Sequence, residues 1–312
     1  MPKLLILSRQ ADEYQHLLES AKLPEIQIFS ATNVDKAKVL GLDFEIVFGE
    51  PRLMRDLLPS LPRLRWVQSM YAGVELLLDP TLRRDYILTN ARGVFGGLMS
   101  EYVFGYLLNH ERRIFECYQA QQEHRWDGST TGMLRGKTIG LLGVGSIGAH
   151  LAGTAKFFEM KVRGYTRSSE SCSDVDVYFR GDHLLDFANG LDYLVSVLPN
   201  TSETHHIVNA SLLNALPSHA LFINVGRGSA LDESALIEAL TKKKIAGAVL
   251  DVFQQEPLPK EHPFWDTPNL LMTFHTSAPS LPNDIANLFI ENYRHYINGK
   301  ELIYRVDFER GY

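Results

Sequence analysis

The run Gly143-Val144-Gly145-Ser146-Ile147-Gly148 directly follows the apolar segment Thr138-Ile139-Gly140-Leu141-Leu142, and a G-x-G-x-x-G spacing at the end of a strand leaves few folds open. Glycines at these places permit a tight strand-to-helix turn, close approach of the backbone to a bound group, and close packing of helix on strand. Ile147, Leu151, Ala152, Ala155, Phe158 and Met160 then recur near the helical period, and Lys161 to Thr166 reads as a second strand. The spacing predicts a βαβ unit whose helix N-terminus offers N–H groups to an anion, the arrangement that holds a dinucleotide pyrophosphate. Gly143, Gly145, Ser146, Ile147 and Gly148 are thus candidate cofactor contacts.

A binder of NAD usually carries a carboxylate about 20 residues further on, where it accepts hydrogen bonds from the ribose. Here the second strand ends in Tyr165-Thr166-Arg167-Ser168-Ser169, with no acid before Glu170. A guanidinium at that place pairs with the 2′-phosphate of NADP. Arg167 and Ser168 therefore join the cofactor contacts, with NADP expected and NAD as the alternative.

The fingerprint begins so far into the 312 residues that a separate domain is expected upstream of it. Lys and Arg number 31 against 37 Asp and Glu, and a net charge of −6 gives no electrostatic reason to expect nucleic acid or an anionic membrane as partner. Cys117 and Cys172 form no C-x-x-C pair, and His205-His206 reads as a loop pair, so neither disulfide nor metal site is expected. The apolar run in Met1 to Ser8 is too short for a signal peptide or a membrane span and reads as a first strand, which points to the cytoplasm.

Upstream, short apolar runs at Leu4 to Leu7, Ile26 to Phe29, Glu45 to Phe48, Leu64 to Val67 and Tyr86 to Thr89 alternate with helical segments, the pattern of an α/β fold with a parallel sheet. A proline-free helical stretch from Gly97 to Trp126 is expected to cross from the first domain to the second. Further strands are expected at Tyr193 to Leu198, Ala220 to Val225, Ile245 to Val252 and Leu270 to Phe274. In an open parallel sheet ligands bind beyond the carboxyl ends of the strands, so the loops that follow are expected to converge on the cofactor.

Three of those loops carry Arg227, Glu256 and His275. Reduction of a 2-keto acid needs a proton at the carbonyl oxygen to accompany the hydride, and a histidine with an ordinary pKa of about 6.5 gives or takes one near neutrality. A carboxylate beside it, here Glu256, favours the imidazolium and orients the ring. Arg227 suits the substrate carboxylate and carbonyl through its planar fork of donors.

With these residues in view the chain resembles the D-isomer-specific 2-hydroxyacid dehydrogenases, and most closely their glyoxylate and hydroxypyruvate reductase branch. The matching segments are Gly143 to Gly148, Leu198-Pro199-Asn200-Thr201 with Thr204, Asn224-Val225-Gly226-Arg227-Gly228, and Leu250-Asp251-Val252-Phe253 leading to Glu256-Pro257. The resemblance implies a flavodoxin-like substrate domain of residues 1–98 and 279–312, with a Rossmann cofactor domain of residues 99–278 inserted into it, both built on parallel sheets. It adds Leu198, Pro199, Thr204, Val225, Gly226, Asp251 and Ser277 to the cofactor contacts, and Tyr71, Ala72 and Gly73, within Gln68 to Val74, as a substrate loop working alongside Arg227.

It further implies NADPH-dependent reduction of small 2-keto acids to D-2-hydroxy acids, with His275 as proton donor, and a homodimer joined through the cofactor domain. Two departures stand out: Phe274 precedes His275 where proline is frequent, and Thr276-Ser277-Ala278 follows it. Glu256 argues against the formate dehydrogenase branch, which carries glutamine there. The alternative from another class is a nicotinamide-sensing binding protein of the corepressor type, without significant turnover.

Overall fold

The computed structural model describes residues 1–167 and 170–311, so that Ser168, one of the expected cofactor contacts, lies outside the described residues. The chain divides into two compact units, Met1–Val94 with Ser280–Tyr312, and Phe95–Pro279. Among the described residues no helix is long and apolar enough to cross a membrane.

The first unit alternates strand and helix: β1 (Lys3–Leu7), α1 (Ala11–Ser20), β2 (Gln27–Ala31), α2 (Val34–Leu40), β3 (Ile46–Gly49), α3 (Pro51–Leu57), β4 (Trp66–Ser69) and β5 (Ile87–Thr89). The strands pair in parallel in the order β2-β1-β3-β4-β5. Leu4 to Leu7 are all buried, as a central strand covered on both faces requires. On α1 the buried residues are Ala11, Tyr14 and Leu18, spaced by three and four along one face.

A helix from the far end of the chain, Pro282–Ile297, completes this unit. Its Phe289 ring stacks on Phe48 at 4.7 Å and on Trp66 at 5.1 Å, between centroids. Asn292, fully buried, donates to Gln68 Oε1 at 3.0 Å and accepts from the Ile303 N–H at 2.8 Å. The amide is thereby satisfied in an otherwise aromatic core.

The second unit opens with α4 (Gly96–Arg112) and α5 (Ile114–Gln122). Then come β6 (Thr138–Leu142), α6 (Ser146–Phe157), β7 (Lys161–Tyr165), β8 (Val177–Phe179), α7 (Leu184–Ala188), β9 (Tyr193–Ser196), α8 (Ala210–Ala215), β10 (Leu221–Asn224), α9 (Glu233–Thr241), β11 (Gly247–Leu250) and β12 (Leu270–Met272). The sheet order is β12-β11-β10-β9-β6-β7-β8, all pairs parallel. The order reverses between β6 and β9, and the loops after those two strands flank the point where such sheets bind ligands. Every residue of β9, β10 and β11 is buried. Full burial of a side chain such as Phe222 or Leu250 stabilises the fold by about 1.5–3 kcal/mol.

One expectation is corrected here. The stretch from Gly97 to Trp126 is two helices, because Arg113 adopts a left-handed conformation, with φ 54°, that ends α4. Asn109 Oδ1 then accepts the N–H of Phe115 at 3.2 Å, serving an orphan donor in the first turn of α5. The strand β8 was not anticipated; three residues at a sheet edge carry too short a pattern.

Candidate active site

Because the seven strands of the second unit are parallel, their carboxyl ends share one edge, and each motif follows one of them. The three fingerprint glycines occupy different physical situations. Gly143 has φ +94°, where a side chain is strained, and a Cβ on Gly148 would lie 2.3 Å from the Gly143 carbonyl oxygen. Gly145 meets nothing within 4 Å where its Cβ would stand. Gly143 and Gly148 therefore serve the turn and its packing on α6, whereas at Gly145 the missing side chain leaves open space at the helix start. That space, with Ser146 and Ile147 opening α6, fits the pyrophosphate of a dinucleotide. The Ser196 hydroxyl at the end of β9 is buried without a hydrogen-bond partner among the described residues.

Beyond β7, Arg167 lies on the exposed edge, with Nη1 3.0 Å from Glu203 Oε2 in the loop after β9. That same loop is braced by Thr204, whose hydroxyl donates to the Pro199 carbonyl at 2.6 Å. Leu198, near its start, packs against the core.

Arg227 follows β10 between two glycines that the backbone demands. A Cβ on Gly226 would lie 2.7 Å from backbone atoms of Leu198, and one on Gly228 would lie 1.9 Å from the Phe253 carbonyl carbon. Asn224, fully buried, clamps this turn, its Oδ1 accepting from the Gly226 N–H at 3.2 Å and its Nδ2 donating to the Arg227 carbonyl at 3.0 Å. Val225 is buried beside it, and Arg227 Nη1 donates to the Gly226 carbonyl at 2.8 Å.

Asp251, at the end of β11, is fully buried. Its backbone carbonyl accepts the His275 N–H at 2.7 Å. Its Oδ1 accepts from the Thr273 hydroxyl at 2.5 Å and the Thr276 N–H at 2.9 Å, and its Oδ2 from the Ser277 N–H at 3.1 Å. One carboxylate thus knits together the loop that carries His275. The loop needs it, because His275 sits at φ 56°, a left-handed conformation that persists in a non-glycine residue when its surroundings over-determine it.

His275 Nδ1 lies 2.7 Å from Glu256 Oε2. Glu256 Oε1 in turn accepts the Phe253 N–H at 3.0 Å, which fixes the carboxylate on the loop after β11. An ionised carboxylate only accepts, so Nδ1 carries a proton and Nε2 is the ring nitrogen left for chemistry. The hydrogen bond to Glu256 raises the His275 pKa above its ordinary value; burial opposes the shift, the charges of Glu256 and Asp251 support it, and Arg227 lowers it. Burial pushes the Glu256 carboxyl upward, but the bonds from His275 and Phe253 and the charges of His275 and Arg227 outweigh it and hold the group below the usual value. Both shifts favour the charged form of the pair, imidazolium beside carboxylate, with Arg227 within electrostatic reach.

In the first unit, the Tyr71 carbonyl accepts from the Ser69 hydroxyl at 2.8 Å and the Ala91 N–H at 3.2 Å, and the Ala72 carbonyl from Asn90 Nδ2 at 2.8 Å. In planar trans peptides the following N–H points opposite to the carbonyl. The Ala72 and Gly73 N–H groups are therefore turned away from these donors.

Comparison with known proteins gives the class. The model of the D-isomer specific 2-hydroxyacid dehydrogenase NAD binding domain matches residues 104–277, and the chain belongs to that family of NAD(P)-dependent oxidoreductases. Among its relatives is a Yersinia enterocolitica protein named glyoxylate/hydroxypyruvate reductase A, 32% identical over 277 residues that cover 86% of this chain and 88% of the relative. A crystal structure of a family member from Aeromonas salmonicida is 44% identical, with a TM-score of 0.93 over 98% of this chain and 99% of that one. The NADPH-dependent glyoxylate/hydroxypyruvate reductase of Sinorhizobium meliloti, solved with NADP and sulfate, is 26% identical, with a TM-score of 0.89 and all of both chains covered.

The roles of three contributors escaped the sequence reading. Asn224 stands in the matching segment before Arg227 without its clamp on the turn being legible there, Thr273 stands beside a strand where a polar residue carries no motif, and Tyr102 on α4 is far in sequence from the loop it reaches, with its hydroxyl 2.6 Å from Thr273 Oγ1.

Proposed function

We propose that the protein reduces small 2-keto acids, glyoxylate and hydroxypyruvate foremost, to 2-hydroxy acids with NADPH, and that His275 donates the proton. The observation that carries this reading is the 2.7 Å contact between His275 Nδ1 and Glu256, which leaves Nε2 as the exchanging atom and raises the pH at which the imidazolium gives up its proton. The nicotinamide, when bound, supplies the hydride. Gly143, Gly145, Ser146, Ile147 and Gly148 cradle its pyrophosphate, Arg167 meets the 2′-phosphate, and Leu198, Pro199, Thr204, Val225, Gly226, Asp251 and Ser277 line the rest of the cofactor site. Arg227 holds the carboxylate of the keto acid and polarises its carbonyl. In the first unit, the Ala72 and Gly73 N–H groups, with Tyr71, form a carboxylate-binding loop. The names of the relatives from Yersinia enterocolitica and Sinorhizobium meliloti support the substrate class, and the latter's NADPH dependence supports the cofactor.

A homodimer joined through the second unit belongs to the same reading. Trp126 is 97% exposed and Phe157 81%, while Met133 and Phe157 line a hollow of about 340 Å³ whose apolar wall is rimmed by Glu111, Arg112, Arg135 and Glu159. Apolar surface left this open on one unit suits a second copy of the chain.

The test is a steady-state panel of short keto acids run in parallel with NADPH and NADH. Consumption of NADPH with glyoxylate or hydroxypyruvate is expected. Silence across the panel by a protein that binds the nucleotide would favour a sensing role instead.

A further inference from the structure

The Tyr102 hydroxyl lies 2.6 Å from Thr273 Oγ1, and Thr273 Oγ1 lies 2.5 Å from Asp251 Oδ1. Hydrogen counting fixes the direction of this chain. The Thr273 hydroxyl donates its single proton to Asp251 Oδ1, so Thr273 Oγ1 can only accept from the phenol, and Tyr102 donates. Burial raises the Tyr102 phenol above its ordinary pKa, so the donor stays protonated throughout any working range. The Tyr102 ring also packs against Tyr106, 4.9 Å between centroids, on the helix α4.

At the other end of the chain, Asp251 accepts the backbone N–H groups of His275, Thr276 and Ser277 through its carbonyl and both carboxylate oxygens. Thr273 is thus two residues from His275 in sequence and bound to the same carboxylate that holds the left-handed turn.

We propose that Tyr102 and Thr273 are positioning residues for His275, acting through Asp251 to hold the imidazole at the distance and angle at which it meets Glu256. The inference rests on the reading of His275 as the proton-exchanging group. It assigns a role to α4 in the chemistry of the site: the helix fixes the carboxylate that fixes the histidine. A misplacement of the order of 1 Å at a catalytic group is enough to lower turnover by about a hundredfold.

The test compares Thr273→Val, Thr273→Ser and Tyr102→Phe with the wild type in the full chain. Two quantities are read: the kcat and KM for glyoxylate beside the NADPH dissociation constant, and the titration of the His275 imidazole by NMR without substrate. The groups that face His275 are Glu256 and Arg227, from the loops after β11 and β10, and Asp251 at the end of β11. When the loop loosens, the contact with Glu256 weakens and the titration midpoint moves down toward 6.5, the ordinary value. Thr273→Val is expected to lower kcat by about ten- to a hundredfold with NADPH affinity held within about twofold, Thr273→Ser to restore it, and Tyr102→Phe to fall between. An unmoved His275 titration in Thr273→Val, equal loss in Thr273→Ser, or loss of NADPH binding in step with kcat would overturn the proposal. Because the titration is read without substrate, it decides the positioning role even in a protein that turned over no keto acid, so the two failures are distinguishable.

Discussion

Glu256 Oε2 stands 2.7 Å from His275 Nδ1 across two loops of one sheet edge, and the pair makes the pH behaviour of the protein calculable in sign. Reduction needs the imidazolium. The raised His275 pKa moves the loss of its proton to higher pH than for an ordinary imidazole, so kcat/KM for reduction should fall as pH rises through that raised value. Glu256→Gln removes the first cause of that rise, and the alkaline midpoint in a pH–rate profile should move down. A midpoint that stays put would count against the pairing.

The same shifts bear on stability. His275, with its folded pKa raised, contributes fully below 6.5 and loses the contribution as pH rises through the folded value. Glu256, with its folded pKa lowered, contributes above 4.5 and loses the contribution as pH falls through its folded value. Both contributions overlap between 4.5 and 6.5. The difference in Tm between the wild type and Glu256→Gln should be greatest there and shrink on either side. The side chains are 54% and 36% exposed, so the difference is small.

His275→Ala should lower kcat by about 10²–10⁴-fold while leaving the NADPH dissociation constant nearly unchanged. Fluorescence titration of the cofactor beside steady-state kinetics separates the two quantities. A parallel loss of binding and turnover would assign His275 to the cofactor instead.

Arg167 meets Glu203 at 3.0 Å on the exposed edge, and this carboxylate competes for the guanidinium with any phosphate bound there. Arg167→Ala should raise the KM for NADPH and leave that for NADH little changed. Glu203→Gln should lower the KM for NADPH, by no more than about fivefold given that an exposed pair is worth roughly 0–1 kcal/mol. Equal effects on both cofactors would place Arg167 elsewhere than at the 2′-phosphate.

Gly145 and Gly228 should respond to alanine in opposite ways. At Gly228 the new methyl meets the Phe253 backbone at 1.9 Å, which should cost about 1–3 kcal/mol of stability, seen as a lower Tm. At Gly145 the methyl meets only open space, so Tm should stay within about 2 °C of the wild type while NADPH affinity drops. A folded Gly145→Ala protein with unchanged affinity would remove the pyrophosphate from that turn.

Much of the fold was legible because its strands are short apolar runs set off by turns, and the chemistry because Arg227, Glu256 and His275 each follow such a run. What the sequence hid is of a different kind. The αL residue Arg113 that splits the helical stretch at Gly97 to Trp126 is neither glycine nor proline, so no composition signal marks it. Asp251 reads as a cofactor contact from its motif, yet its polar atoms are engaged by four groups of the His275 loop, a relationship created only when β11 and β12 lie side by side. Tyr102 joins that network across a helix–sheet contact that no periodicity encodes.

The stacking of Phe289 on Phe48 and Trp66 also sets an order of events during synthesis. The sheet of the first unit emerges early from the ribosome, yet one covering helix is translated only after the whole of Phe95–Pro279. Until then the Phe48 and Trp66 faces lack the cover of that helix, while the second unit has every strand of its own sheet in hand. The unit that begins the chain is therefore the last to finish folding.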